Sequence, residues 1–189
     1  YIERNAHQKL WELFAKFSLL NLDFNSAEKA MIQYNDYMGL NFIKRVKMID
    51  DDNIKKAEIY QFFLEYEKAE ETYNEIDRRD LSISMRIKLG HWENVINLIN
   101  ESGYVQEDNL KMAKNNMALQ YMEKKEFDKS EELFKETHNT EGLVNLYFKS
   151  EKYEKAIPLI ESIPPSSEFL NHMAEKFETV FLNYHLLNY

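Results

Sequence analysis

The stretch Tyr66–Ile99 (YEKAEETYNEIDRRDLSISMRIKLGHWENVINLI) indicates the fold through the spacing of its apolar residues. Twice within it, an aromatic residue is followed by a small or short residue three positions later and a large apolar residue seven positions later. The whole chain contains five such triplets: Phe24, Ala27 and Met31; Tyr66, Ala69 and Tyr73; Trp92, Val95 and Ile99; Phe127, Ser130 and Phe134; and Tyr153, Ala156 and Ile160. Spacings of three and four residues place each triplet on one helix face. Such a repeat predicts an all-α fold of stacked antiparallel helix pairs.

The residues before each anchoring aromatic, the first member of a triplet, test whether the pairs are of the tetratricopeptide type. That repeat has a small residue nine positions earlier and an aromatic six positions earlier. The residues nine positions earlier are Ala15, Ala57, Ile83, Ala118 and Val144, and those six positions earlier are Ser18, Tyr60, Arg86, Tyr121 and Tyr147. Three of five match at each place, and the aromatics are 42, 26, 35 and 26 residues apart. We therefore predict an irregular, right-handed tetratricopeptide-like α-solenoid, interrupted by one extra helix near residues 42–49.

Composition agrees with a helical chain. The 189 residues include only four Gly and three Pro, which suits helix interiors. Cys is absent, which excludes disulfides and thiolate metal sites and fits a cytoplasmic protein, and no apolar run is long enough to span a membrane. Because the chain starts at Tyr1 rather than Met, we expect a piece of a longer protein. We assign residues 1–163 to tetratricopeptide-like repeats and residues 164–189 to a terminal helix or the start of further repeats.

The charge pattern disfavours a nucleic-acid partner. The formal net charge is -9, and a phosphate backbone requires a basic stripe on the protein. Residues 1–50 are the exception to the acidic excess, with seven basic against six acidic side chains. Their best basic cluster is Lys44, Arg45 and Lys47. This cluster indicates either a solvated helix face or a small contact with an anionic lipid or polymer.

Several residues predict where helices begin and end. Gly39 and Gly90 are expected to end helices, and Pro158 is expected to delay the last predicted repeat helix by one turn. N-terminal capping is expected from Asn25 with Glu28, from Asp77 with Asp80 in the following turn, and from Asp128 with Glu131. The acidic triplet Asp50 to Asp52 suits the N-terminal end of the next helix through the helix dipole.

No arrangement of side chains predicts catalysis, cofactor binding or metal binding. The five His residues have no partner at helical metal-ligand spacing, and adjacent Glu pairs such as Glu70 and Glu71 face different directions on a helix. Phosphate-binding and nucleophile motifs are absent. We therefore predict a non-enzymatic scaffold without cofactors. Its repeat-packing residues are Phe24, Ala27, Tyr66, Ala69, Trp92, Phe127, Tyr153 and Ala156, with Trp11 also serving the core.

The segment after Pro165 is the best candidate for partner binding. Its apolar residues follow helical spacing and form a stripe wider than one face, whereas a terminal repeat usually presents a polar outer face. We expect the stripe to contact another protein or further repeats, the alternative being an end helix packed on its own array. The candidate partner-binding residues are Phe169, Met173, Phe177 and Phe181.

Five runs of sequence resemble a known family: HQKLW at 7–11, NDYMGLNFIKR at 35–45, KKAE at 55–58, YEKAEETY at 66–73 and DRRDLSISMRIKLGHW at 77–92. They are similar to the helical tail of the WD repeat-containing protein 35 type of subunit of intraflagellar transport complex A. The resemblance covers residues 7–99 best. It implies a long parent protein with N-terminal WD-repeat propellers and a repeat tail that binds other subunits of the complex. It also implies retrograde transport, import of membrane-protein cargo into cilia, and a location in the cilium, the basal body and the cytoplasm.

Two alternatives remain open. A sister subunit of the same complex shares the architecture. The chain is otherwise a peptide- or cargo-binding tetratricopeptide adaptor that uses a concave groove. The form of adaptor that clamps a terminal carboxylate needs a Lys and an Asn at positions twelve and eight before the anchoring aromatic, and no hairpin of this chain has that pair.

Overall fold

The computed structural model describes residues 8–102, 107–164 and 167–175. Eleven helices lie within these ranges: α1 (Gln8–Leu20), α2 (Phe24–Gln33), α3 (Tyr37–Val46), α4 (Asp52–Phe62), α5 (Tyr66–Glu75), α6 (Arg79–Leu89), α7 (Trp92–Ser102), α8 (Glu107–Glu123), α9 (Phe127–Glu136), α10 (Thr140–Lys149) and α11 (Tyr153–Glu161). Residues 168–175 are also helical, and the described ranges contain no strand. The predicted all-α fold of adjacent helix pairs is confirmed.

The chain divides into two compact units, and Tyr1–Leu89 is the first. In this unit α1 pairs with α2 and α4 pairs with α5. The predicted extra helix is α3, which packs on both α2 and α4 and begins earlier than expected, at Tyr37. Buried side chains from four helices form one core cluster: Ala15, Leu19, Ala27, Ala30, Met31, Phe42, Ile43, Val46 and Ile59.

The second unit is Gly90–Tyr189. Consecutive helices from α7 to α11 pack on one another, and the closest pairs are α8 with α9, α7 with α8, and α10 with α11. One core cluster contains Ala118, Phe134, Leu143, Leu146, Tyr147 and Ala156, and a second contains Val144, Ile163 and Met173. The predicted third hairpin is therefore divided. Its helix α6 packs on α5 in the first unit, and its helix α7 packs on α8 in the second.

A left-handed residue lies two positions before every anchoring aromatic. These residues are Leu22, Leu64, Gly90, Lys125 and Glu151, with φ between 58° and 69°. In four of the turns the next backbone N–H bonds back five residues, for example from Glu65 to the Tyr60 carbonyl at 2.9 Å. This is the Schellman arrangement, which satisfies carbonyls at the end of the preceding helix. Gly90 ends α6 as predicted, since glycine adopts a positive φ without steric cost.

The acidic triplet lies at the N-terminal end of α4 as predicted, whereas the predicted caps of α2 and α9 are wrong. Asp51 caps α4 by accepting the backbone N–H groups of Asn53 and Ile54. At α2 the cap is Asp23, which accepts the Ser26 N–H at 3.1 Å, so the helix begins before Asn25. At α9 the N-cap residue is Glu126 and makes no side-chain capping bond, because the helix already begins at Phe127. Both corrections place the anchoring aromatic at the first helical position.

Three further boundary predictions are corrected. Asp77 has φ 55° and its N–H bonds to the Asn74 carbonyl, so it belongs to the turn that ends α5. Gly39 lies inside α3, because α2 already ends before the left-handed Asn35. Pro158 is accommodated within α11, which begins at Tyr153 without delay. Both Pro158 and Glu154 are exposed, so water can satisfy the carbonyl that the missing proline N–H leaves without a helix bond.

Candidate functional site

The predicted repeat-packing residues fall into two groups. The small ones lie at the helix contacts: Ala27, Ala69 and Ala156 are all buried. The anchoring aromatics are only partly buried, and Tyr153 remains 37% exposed. In a helix pair, the small residue lets the two backbones approach and the aromatic covers the edge of the contact. Phe24, Tyr66, Trp92 and Phe127 are half-buried at the start of their helices.

A buried ion pair joins α5 to α6 at a position where the repeat pattern calls for an aromatic residue. The Arg86 side chain is 3% exposed, and its Nε donates to Oε2 of Glu70 at 2.6 Å. A second carboxylate, that of Glu67, lies 3.7 Å from Nη1. The sequence shows this position as a mismatch, and only the structure shows that a charged group fills the core there.

Glu131 connects three helices of the second unit. Its Oε1 accepts hydrogen bonds from Tyr147 Oη on α10 at 2.9 Å and from Lys135 Nζ on α9 at 2.6 Å. Lys155 Nζ on α11 lies 3.8 Å from the same oxygen. The Lys135 ammonium is the largest influence and lowers the pKa of Glu131, whereas burial together with the carboxylate raises the pKa of Tyr147 to about 12.

Glu58 has the corresponding role in the first unit. Its Oε1 accepts the Tyr73 hydroxyl of α5 at 3.0 Å, and its Oε2 lies 3.2 Å from Arg45 Nη2 of α3. Gln61 Nε2 donates to the Tyr73 hydroxyl oxygen at 2.7 Å. Burial first, and then the Glu58 carboxylate, raise the pKa of Tyr73. Acidic residues that could suggest acid/base chemistry therefore hold helices together.

Two grooves, one in each unit, lie beside the first helices of neighbouring hairpins. In the second unit a groove of about 580 Å³ lies between α8 and α10, and its lining residues are Leu119, Met122, Asn145, Phe148, Lys149, Glu151 and Tyr153. In the first unit a groove of about 410 Å³ has α1 and α4 residues in its lining, which is Lys9, Glu12, Leu13, Lys16, Tyr34, Asp36, Phe62 and Phe63. Both are open, largely apolar grooves of the kind that accepts a peptide or a helix edge.

The predicted partner-binding stripe lies only partly within the described residues. Met173 is buried against Val144 and Ile163, and Phe169 is half-buried at the same cluster. Both side chains thus face the core of the second unit. Phe177 and Phe181 lie outside the described residues.

Two features of the described residues bear on other functions. Among the residues that the structure describes, no group of three or more His, Asp or Glu side chains is positioned to hold a metal ion. Within those same ranges, every helix is too short or too polar to cross a membrane.

Comparison with known proteins identifies the family. The model of the IFT80/172/WDR35/WDR19 TPR domain matches residues 10–157, most of the chain. The chain belongs to this family. The tetratricopeptide-like fold class predicted from the triplets is thereby confirmed.

Individual proteins of the IFT80/172/WDR35/WDR19 family show which member type the chain resembles. WD repeat-containing protein 35 of Homo sapiens is 34% identical over 181 residues, which is 95% of this chain and 15% of that protein. The protein of the same name from Rattus norvegicus is 33% identical over 181 residues. WD repeat-containing protein dyf-2 of Caenorhabditis elegans is 29% identical over 82 residues, or 43% of the chain. The resemblance to the WD repeat-containing protein 35 type is confirmed, and the chain spans about 15% of the length of its human relative.

Proposed function

We propose that the chain is part of the repeat tail of a scaffold subunit of intraflagellar transport complex A. The supporting observation is similarity to WD repeat-containing protein 35 across 95% of the chain. In this role the tail presents helix faces and loop edges to other subunits of the complex. It needs no reaction chemistry.

The side-chain geometry supports a scaffold. Arg86 with Glu70, Glu131 with Tyr147, and Glu58 with Tyr73 each link neighbouring helices. Their polar groups already satisfy one another, so these clusters stabilise a surface of fixed shape. Exposed acidic residues then contribute to partner choice, since surface charge governs specificity and association rate.

The proposal extends to transport in cilia. As part of such a complex, the chain would act in retrograde transport and in the import of membrane-protein cargo, at the cilium, the basal body and in the cytoplasm. The partners would be the other subunits of the complex and, through them or directly, membrane-protein cargo.

Co-purification tests the scaffold role. The tagged full-length parent protein should recover the other subunits of the complex from ciliated cells, and lysine crosslinks to them should fall within residues 8–175. Deleting residues 8–175 should abolish those crosslinks and reduce recovery, whereas an internally tagged parent with the segment intact serves as the control. Unchanged recovery after the deletion would contradict the proposal.

The second candidate function is a peptide- or cargo-binding adaptor, which the groove between α8 and α10 favours. Leu119 lines this apolar groove and is 43% exposed, so its side chain is accessible to a ligand. If the groove binds a short linear peptide, Leu119→Glu should weaken capture of that peptide. The matched change Leu13→Glu in the other unit should leave it unchanged. Peptide capture that survives Leu119→Glu would exclude this groove.

A further inference from the structure

The exposed side of α3 differs in chemistry from the other helix surfaces. The helix buries Gly39, Phe42, Ile43 and Val46 on one side. Stepping 100° per residue, the exposed positions of α3 cover a single arc of about 120°. That arc carries Tyr37, Met38, Asn41, Lys44 and Arg45, and Met48 follows in the turn after the helix. We call these six residues the α3 face.

The α3 face is apolar to an unusual degree for a solvent-exposed surface. Tyr37 is 72% exposed, Met38 80% and Met48 83%. Three large apolar side chains within twelve residues thus lie almost fully in water. Methionine is flexible and polarizable, and surfaces rich in it adapt to apolar helix partners.

The α3 face is also basic in an acidic chain. Among the eleven helices in the described ranges, α3 alone contains no Asp or Glu, although the chain carries a net charge of -9. Lys44 and Arg45 lie on the face, and Lys47 lies at its flank. Arg45 and Lys47 each meet one carboxylate, Glu58 at 3.2 Å and Glu28 at 2.5 Å, through surface ion pairs. Arg45 keeps 68% and Lys47 37% of its side chain exposed in these pairs, so both cations remain accessible to a further carboxylate.

We infer that the α3 face is a docking surface for an acidic amphipathic helix of a partner protein. The partner's apolar stripe would cover Tyr37, Met38 and Met48, and its flanking carboxylates would meet Lys44 and Arg45. This helix-to-helix mode matches an exposed strip that is one helix wide. An anionic membrane is the weaker match, because a bilayer would also meet acidic residues beside the face such as Glu28 and Glu58. Three cations would gain only about 1 kcal/mol each at its surface.

Methyl NMR of the full 189-residue chain tests this inference directly. The chain is labelled at its methionine methyl groups and titrated with a synthetic acidic amphipathic peptide of about 18 residues, long enough to form a helix. The signals of Met38 and Met48 should shift on binding. Those of the buried Met31 and Met85 serve as internal references and should not.

Variants separate the contribution of charge to the affinity from that of apolar contact. Lys44→Glu should weaken the peptide's affinity about tenfold, as should Met38→Ser. The matched controls are Lys111→Glu on α8 and Ile157→Ser on α11, both at exposed positions, and these should leave affinity unchanged. Circular dichroism of each variant should match the parent chain.

Several results would overturn the inference. These are no binding, binding that leaves Met38 and Met48 unshifted, equal affinity for a peptide with Lys in place of every Glu, and insensitivity to Lys44→Glu. Binding to vesicles containing phosphatidylserine without binding to the peptide would assign the face to a membrane instead. The inference rests on the proposed scaffold function for its biological meaning, but this experiment does not use the complex. A negative result in this experiment would therefore not contradict the scaffold function, which co-purification of the subunits tests separately.

Discussion

Gly142 shows how one missing methyl group sets a helix contact. A Cβ placed at this residue would lie 2.6 Å from Cδ1 and Cε1 of Phe134, closer than carbon atoms pack. Gly39 has the corresponding position in α3, the helix after α2. A Cβ there would lie 2.5 Å from Sδ of Met31. Both glycines are in the first turn of a helix and face the last member of the preceding triplet.

Gly142→Ala should therefore destabilise the chain, even though alanine is the better helix former. Overpacking against the buried Phe134 ring should cost about 1–3 kcal/mol of unfolding free energy. Urea denaturation measures this cost. The double variant with Phe134→Leu should lose less stability than the two single changes added together, since the smaller side chain relieves the clash. Additive losses would mean that the contact is not the cause.

The buried Arg86 allows a second test at the residue scale. Arg86→Ala leaves the Glu70 carboxylate without its closest cation and should cost about 3–5 kcal/mol. Replacing both partners, as Arg86→Met with Glu70→Leu, should restore much of that stability, because no charge is then left buried. Urea denaturation of the three proteins compares them. A double variant less stable than Arg86→Ala would show that the ion pair itself is required.

At this scale spacing selected small residues that are buried, and it missed the buried charge of Arg86. The packing roles of the selected residues stay predictions. Ala27, Ala69 and Ala156 follow from spacing alone, because a backbone contact between helices admits little else. The burial of Arg86 could not be predicted, since it depends on Glu70 reaching it from another helix. The capping errors at Asn25 and Asp128 arose because more than one acidic or amide residue lay within two positions of each helix start.

At the scale of helices, Glu131 links α9, α10 and α11 through one carboxylate. Glu131→Gln should lower the unfolding free energy by about 1.5 kcal/mol at neutral pH, because it removes a charged hydrogen-bond acceptor. Adjacent Glu132→Gln is the control, since that side chain is exposed. Thermal or urea unfolding gives the comparison.

The effect of Glu131→Gln should depend on pH. The folded pKa of Glu131 is lowered, so its contribution is complete above the unfolded pKa of about 4.3 and is lost as pH falls through the folded value. The stability gap between parent and variant should therefore be largest near neutral pH and close in acid. A gap that stayed constant down to about pH 2 would show that the carboxylate's charge is not involved.

Helix pairing was predictable where one face of each partner is apolar and the connection is short. The aromatic triplets located α2, α5, α9 and α11 within hairpins for that reason. The pairing of α7 with α8 was not predictable, because the local pattern around Gly90 resembles a hairpin turn while α6 packs back on α5. Whether α7 packs on α6 or on α8 depends on the complete surface of each helix, and a spacing rule for three residues does not describe that surface.

At the scale of the molecule, the division at Leu89 and Gly90 predicts that the first unit folds on its own. A fragment of residues 1–89 should show helical circular dichroism and one cooperative melting transition, because it keeps the α1 to α4 core cluster together with the buried Ala69 and Tyr73 of α5. A fragment of residues 1–62 should melt less cooperatively, since it separates α4 from α5. An unstructured 1–89 fragment would contradict the division.

The hairpin turns constrain how insertions and deletions can accumulate in this family. Three residues join the helices in four of the hairpins, while first-helix lengths range from 10 to 17 residues. One residue gained within such a turn would rotate the following helix by about 100° and turn its small residue away from the contact. Length variation among homologues should therefore occur in the segments between hairpins, where α3 lies, and an alignment of family members should leave the turns without gaps.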